Sequence, residues 1–306
     1  MPPERELARL RAGLQALRLW PRGEERQQVL ASEVFAYLER LQRWNQRHNL
    51  TAVRDPAQML VHHVLDCAAV VPVLRSWVES RAGATERPHI IDVGSGAGLP
   101  GIVLAWFWPE ARITLVEPAA KRVAFLQQAT ATAALANVQV VRARVEELAP
   151  EEPPPDAIIC RAFSSLADFV RAVAHLAGPD TVLVAMKARL DESEKQALTM
   201  LADAEGPENR MTAGHSPGTA PEGKLRAAPA APAADGVPPG PTPAASPIVS
   251  RWEIAEEVPL QVPELDAYRC LVRLERVRAD APSASGRQDS AAPAVAQLVI
   301  PDPSES

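Results

Sequence analysis

Cysteine is scarce in this chain: three residues in 306, at positions 67, 160 and 270, odd in number and far apart. That argues against a disulfide framework or a Cys-based metal spacing, and it suits a reducing compartment. The six histidines form no ligand pattern either. No apolar run is expected to approach the ~20 residues that span a bilayer, and the opening MPPERELARLRAG lacks the apolar segment of a secretion signal. These absences point to a cytoplasmic protein with no metal and no membrane partner. A charge excess is also missing from most of the chain. Residues 1–200 carry 23 Lys+Arg against 23 Asp+Glu, so the formal net charge of −6 arises beyond residue 200. A neutral body with an acidic remainder does not exclude a nucleic-acid partner. Of the 32 basic residues 28 are Arg, the side chain suited to bidentate phosphate contacts and stacking on bases. A GC-rich coding bias, which also accounts for the Ala and Pro content, is the plainer source of that excess.

With 47% hydrophobic residues the chain can bury a substantial core. Helical periodicity runs over 4–19 and 24–47, and a third helix is expected from Ala57 to about Trp77, with Pro72 kinking it or ending it early. Residues 1–80 therefore read as an N-terminal helical region. Strand and helix then alternate: HIIDV, RITLVEP, VQVVRA, PDAIICRAF and TVLVAMK are short apolar strands separated by helical patterns. Such strands, apolar on both faces, predict a parallel sheet covered by helices on each side. Residues 204–250 are rich in Pro, Ala and Gly with few large apolar side chains, so a disordered insertion is expected there. RWEIAEEVPLQ and YRCLVRLERV then return as an antiparallel hairpin at the end of the sheet. On this reading 81–203 and 251–278 form one domain, and 279–306 is a disordered tail.

The chemistry centres on HIIDVGSGAGLPG, residues 89–101. Glycines at 96, 98 and 101 satisfy the dinucleotide pattern G-x-G-x-x-G. The same letters read D-x-G-x-G-x-G, the form used by S-adenosylmethionine-dependent methyltransferases. The dinucleotide reading leaves Gly94 and Ser95 between strand and motif, whereas that fingerprint opens at the strand end. The methyltransferase reading begins at Gly94, directly after Val93, and places Asp92 near the methionine part of the cofactor. Glu117, ending the second strand, can accept from both hydroxyls of a ribose, which either cofactor has. The terminal hairpin discriminates better. It predicts an α/β, Rossmann-like class I methyltransferase fold: a seven-stranded, mostly parallel sheet with an antiparallel C-terminal hairpin and an N-terminal helical layer.

WNQRHNLTAVRDP (44–56), MLVHHVLDC (59–67), IDVGSGAGLPGI (91–102), LVEPAAKRVAFL (115–126), ARVEEL (143–148), CRAF (160–163) and VPELDAYRCLV (262–272) resemble one family in order and spacing. It is the bacterial RsmG (GidB) family, which methylates guanine N7 in small-subunit (16S) ribosomal RNA. The likeness covers roughly residues 25–200 and 252–277. It implies S-adenosylmethionine as cofactor, small-subunit RNA or the 30S subunit as partner, and a monomer. Carried over by position, Gly94 and Leu99 in the loop, Val145 and Glu146 after the third strand, and Arg161 after the fourth would bind the cofactor, with Glu117 beside them. One departure stands out: AMKAR has Ala188 where the family has Gly directly after the Lys.

Guanine N7 already offers a lone pair, so its methylation needs no general base, and a missing His/Asp dyad does not argue against activity. Catalysis would rest on positioning, with Arg161 and Lys187 as the candidates at the reacting centre and no single essential catalytic residue. Arg54, Lys187 and Arg269 are candidates for RNA backbone contacts, and the target guanine must be splayed out to reach the donor. His63 is expected to be packed or helix-capping rather than catalytic. Two other functions keep the same loop: methylation of a protein or small molecule, and non-enzymatic RNA gripping during ribosome assembly.

Overall fold

The computed structural model describes residues 4–81, 84–204 and 250–278; the expected insertion over 204–250 and tail over 279–306 lie almost wholly outside them. Seven strands form one sheet: β1 His89–Val93, β2 Arg112–Val116, β3 Val138–Val141, β4 Ala157–Arg161, β5 Val182–Lys187, β6 Ser250–Pro259 and β7 Cys270–Arg278. Their order is β3-β2-β1-β4-β5-β7-β6. The first five are parallel; β7 joins β5 antiparallel, and β6 pairs with β7 as the outer strand of the hairpin. Every residue of β1 is buried, as expected of a central parallel strand covered on both faces.

Alternation along the strands separates two cores. Ile90, Ile113, Ile159 and Val184 point into one, with α6 Gly101–Phe107, α7 Ala120–Thr132 and the N-terminal helices α1 Glu4–Ala16 and α2 Glu24–His48. Ile91, Val93, Ile158 and Leu183 point into the other, under α8 Leu166–Val173 and α9 Glu192–Ala204. The N-terminal helices thus share one continuous apolar cluster with a face of the sheet.

The third helical stretch departs from expectation. Its path is α3 Pro56–Met59, a π-helical turn Leu60–Leu65, α4 Asp66–Ala68 and α5 Val70–Glu79. The break falls at Ala69, not at Pro72. Pro72 occupies the first turn of α5, where backbone N–H groups have no partner within the helix and proline is tolerated. By length and composition the whole path Pro56–Glu79 is apolar enough to cross a bilayer, which the polar residues His62, His63 and Asp66 conceal in the sequence; 72% of its most apolar window is buried inside the protein.

Strand order reverses between β1 and β4, because β1 leads outward to β2 and β3 while β4 and β5 lie on its other side. In open α/β sheets the crevice beyond the strand ends at such a switch point is where ligands bind. Gly94 and Arg161 stand at the two strand ends that flank it.

Candidate functional site

The glycine loop leaves β1 at once. Gly94 has φ +68, and its N–H donates to Val116 O at 2.9 Å, tying the loop to the end of β2. The glycines alike in sequence divide by surroundings. A Cβ at Gly94 would meet nothing within 4 Å, so that backbone faces open space. One at Gly98 would overlap Ile102 and Leu126, and one at Gly101 would overlap Leu115 and the Asp92 carboxylate. The later pair is therefore needed for close packing of loop and helix against the sheet, and the earlier end of the loop is open for a ligand.

Asp92 is fully buried. Its Oδ2 accepts the Gly101 N–H at 3.0 Å, while Oδ1 has no partner among the described residues. Burial pushes this carboxyl up to about 7, against the Gly101 N–H, which favours the anion. Glu117 lies beside it at the end of β2, 1% exposed. It accepts Gly96 N–H through Oε2 at 3.0 Å and Ala119 N–H through Oε1 at 2.9 Å. Each carboxylate oxygen has a second acceptor site, so Glu117 can shape the loop and still accept from a ribose.

Beyond β3, Val145 is buried and opens a short 3-10 turn, Val145–Glu147; Glu146 is exposed and faces Arg144 at 3.7 Å. Leu99 packs its side chain into the core while its N–H donates to Ser95 O. Of the residues carried over from the resemblance, Gly94, Val145 and Glu146 lie past the carboxyl ends of β1 and β3, and Arg161 is the last residue of β4.

Arg161 is committed to its own chain. It donates to His62 O at 2.9 Å and Cys67 Sγ at 3.3 Å, and faces Asp66 Oδ2 at 3.4 Å. Arg269 Nε approaches the other Asp66 oxygen at 3.2 Å. Asp66, 2% exposed, thus bridges two guanidiniums and couples the π-helical turn to β4 and β7. The stretch MLVHHVLDC does not show this role, because a lone Asp in an apolar helix does not reveal a partner 95 residues away.

Asp66, Arg161, Lys187 and Arg269 border a cavity of about 220 Å³ at the ends of β4 and β5. This unites Lys187 and Arg161 in one cleft, as expected, but Lys187 is not a free cation: Glu194 Oε1 holds its ammonium at 2.5 Å and its side chain is 10% exposed. Arg54 does not line that cavity; it is exposed in the loop after α2, 3.5 Å from Asn49 Oδ1. His63 is packed: Nε2 meets Thr51 Oγ1 at 2.9 Å, and burial beside Arg161 lowers its pKa to about 4, which keeps it neutral. Tyr37, not singled out in the sequence, donates from its buried hydroxyl to Ala97 O at 2.9 Å and ties α2 to the glycine loop. Tyr37→Phe should lower the melting temperature by roughly 2–10 °C, since it orphans a buried carbonyl at about 1–3 kcal/mol. A scanning-calorimetry trace matching wild type would remove the tie.

A family model described as rRNA small subunit methyltransferase G matches residues 31–216. The chain is 43% identical over 192 residues to Ribosomal RNA small subunit methyltransferase G of Acidovorax sp. (strain JS42), covering 62% of this chain and 81% of that one. It is 35% identical over 269 residues to the protein of that name in Bordetella avium (strain 197N), covering 88% and 92%. Among solved structures, a SAM dependent methyltransferase from Aquifex aeolicus aligns at 13% identity with a TM-score of 0.41, over 72% of this chain and 93% of that one.

Proposed function

Because the chain belongs to the rRNA small subunit methyltransferase G family, we propose that it transfers a methyl group from S-adenosylmethionine to N7 of a guanine in 16S ribosomal RNA. The observation that carries this reading is the loop at the end of β1, with its open backbone at Gly94 and a fully buried Asp92 oxygen that has no partner among the described residues. Such an acceptor fits the cationic amino group of a methionine moiety. In the same reading Glu117 accepts from the ribose, Val145 packs on the adenine and Glu146 lies beside it. Arg161 borders the methionine end and holds the adjoining π-helical turn.

The bound cofactor supplies an electrophilic methyl on a sulfonium. Guanine N7 carries its own lone pair, so a methyl supplied in this way would need no proton moved by the chain's residues. What the protein contributes is alignment and exclusion of water. In this reading residues 81–203 and 251–278 form the methyltransferase body, and the helices between residues 4 and 80 pack on one face of its sheet. Transfer of label from the cofactor to RNA, but not to ribosomal protein or small molecules, tests the substrate class. Label on protein alone would reject it.

Asp92 gives the reaction a pH signature. Its pKa is raised on folding, from 3.8 to about 7. The folded state therefore binds the extra proton, and the contribution to stability falls as pH rises from about 4 to 7. Affinity for the cationic cofactor should move the opposite way and increase through about 7 as the carboxylate ionises. Calorimetry across this range should show both trends, and Asp92→Asn should flatten both. A cofactor affinity independent of pH would remove Asp92 from the site.

A further inference from the structure

The WNQRHNLT segment, residues 44–51, closes α2, and most of it has an internal role. Asn45 accepts Thr51 N–H at 2.9 Å and donates to Val53 O, Asn49 caps the helix in the left-handed region, and Thr51 meets His63. Trp44 donates to Gln128 Oε1 at 3.0 Å and packs edge-on against Phe125, 5.7 Å between centroids. Arg47 and His48 make no hydrogen bond or ion pair among the described residues, yet both face one cleft. That cleft, about 440 Å³, is lined by Arg43, Trp44, Gln46, Arg47, His48 and Gln128, with no acidic residue among them. Among the described residues Arg43 is engaged only by exposed Glu39 at 3.3 Å, a contact worth little in water. His48 lies 5.1 Å from Trp44, centroid to centroid.

We propose that this cleft between α2 and α7 holds an unpaired nucleotide of the RNA strand flanking the target guanine. The proposal rests on the RNA reading above. The base stacks on the Trp44–His48 pair, the amides of Gln46 and Gln128 reach its edge, and Arg43 and Arg47 take the neighbouring phosphates. Aromatic faces flanked by arginines are the common means of holding single strands. Arg54, in the loop that Asn45 pins down, extends the basic track. A helix C-terminus also favours cations through its dipole, but that role would affect stability and not RNA binding.

The test uses the full chain, a fluorescein-labelled oligouridine of roughly a dozen nucleotides, and small-subunit ribosomal RNA. Arg47→Ala should reduce the salt slope of oligouridine binding by about 0.7 and raise KM for ribosomal RNA. Trp44→Leu should weaken binding roughly 5- to 150-fold, the equivalent of losing one stacked base, whereas Trp44→Phe should retain most of it. Should Trp44→Leu fail to fold, Arg47→Glu, at an exposed position, carries the test alone. Cofactor affinity by calorimetry should be unmoved by the Arg47 changes. Wild-type affinity and slope in both Arg47 variants overturn the proposal, and if the wild type still methylates RNA, only this surface is lost. Polyglutamate competing as well as oligouridine would also overturn it, by reducing the cleft to a general anion patch.

Discussion

Gly94→Val abolishes measurable binding of S-adenosylmethionine while the chain stays folded. The backbone at Gly94 has φ +68, and a Cβ there would meet no protein atom within 4 Å beyond its chain neighbours, so the valine side chain projects into the room meant for the ligand. The conformation itself costs a branched residue about 1–2 kcal/mol, a fall in melting temperature of roughly 2–8 °C that leaves most molecules native. Gly98→Val provides the contrast, because it drives into Ile102 and Leu126 and should unfold or misassemble the loop. Calorimetric titration beside a thermal melt separates the two. Cofactor affinity within threefold of wild type in a folded Gly94→Val protein would sink the assignment of the loop.

Arg161→Ala should lower both stability and cofactor affinity, the first by roughly 1–3 kcal/mol, or about 3–10 °C. The variant strips His62 O and Cys67 Sγ of a donor and leaves buried Asp66 with Arg269 alone. Burial already raises the Asp66 carboxyl, and the two arginines oppose that rise. Losing one raises it further, so the penalty should grow as pH rises and shrink in acid, where the carboxyl is neutral. Adding Asp66→Asn should recover part of the lost melting temperature. The accompanying loss of cofactor affinity follows from loosening the turn that borders the crevice. An unchanged melt with weaker cofactor binding would instead make Arg161 a direct contact and nothing more.

The sheet was legible because buried parallel strands must be apolar on both faces, and HIIDV and TVLVAMK could form little else. The hairpin was legible from two strand-like runs returning after a segment with almost no large apolar residues. Side-chain partners were not. Arg161 reads as a cation at a strand end whichever way its guanidinium turns, and only packing of the N-terminal helices brings Asp66 to it. Lys187 reads as a free cation until the chain folds back to place Glu194 against it. The glycines at 94 and 98 are identical letters, distinguished only by what lies beside them. The π-helical turn left no signal either, since one irregular turn barely disturbs a helical apolar pattern.

The most direct test places the methyl group on the base. Purified protein, S-adenosylmethionine and unmethylated 16S RNA or 30S subunits are incubated, and the RNA is treated with borohydride and aniline, which cut the strand at N7-methylguanine. One new cleavage site is expected, which requires both enzyme and cofactor and is absent with Gly94→Val. Label transferred to RNA with no such cleavage would contradict the N7 assignment, and no transfer to either RNA substrate would contradict the proposed function itself.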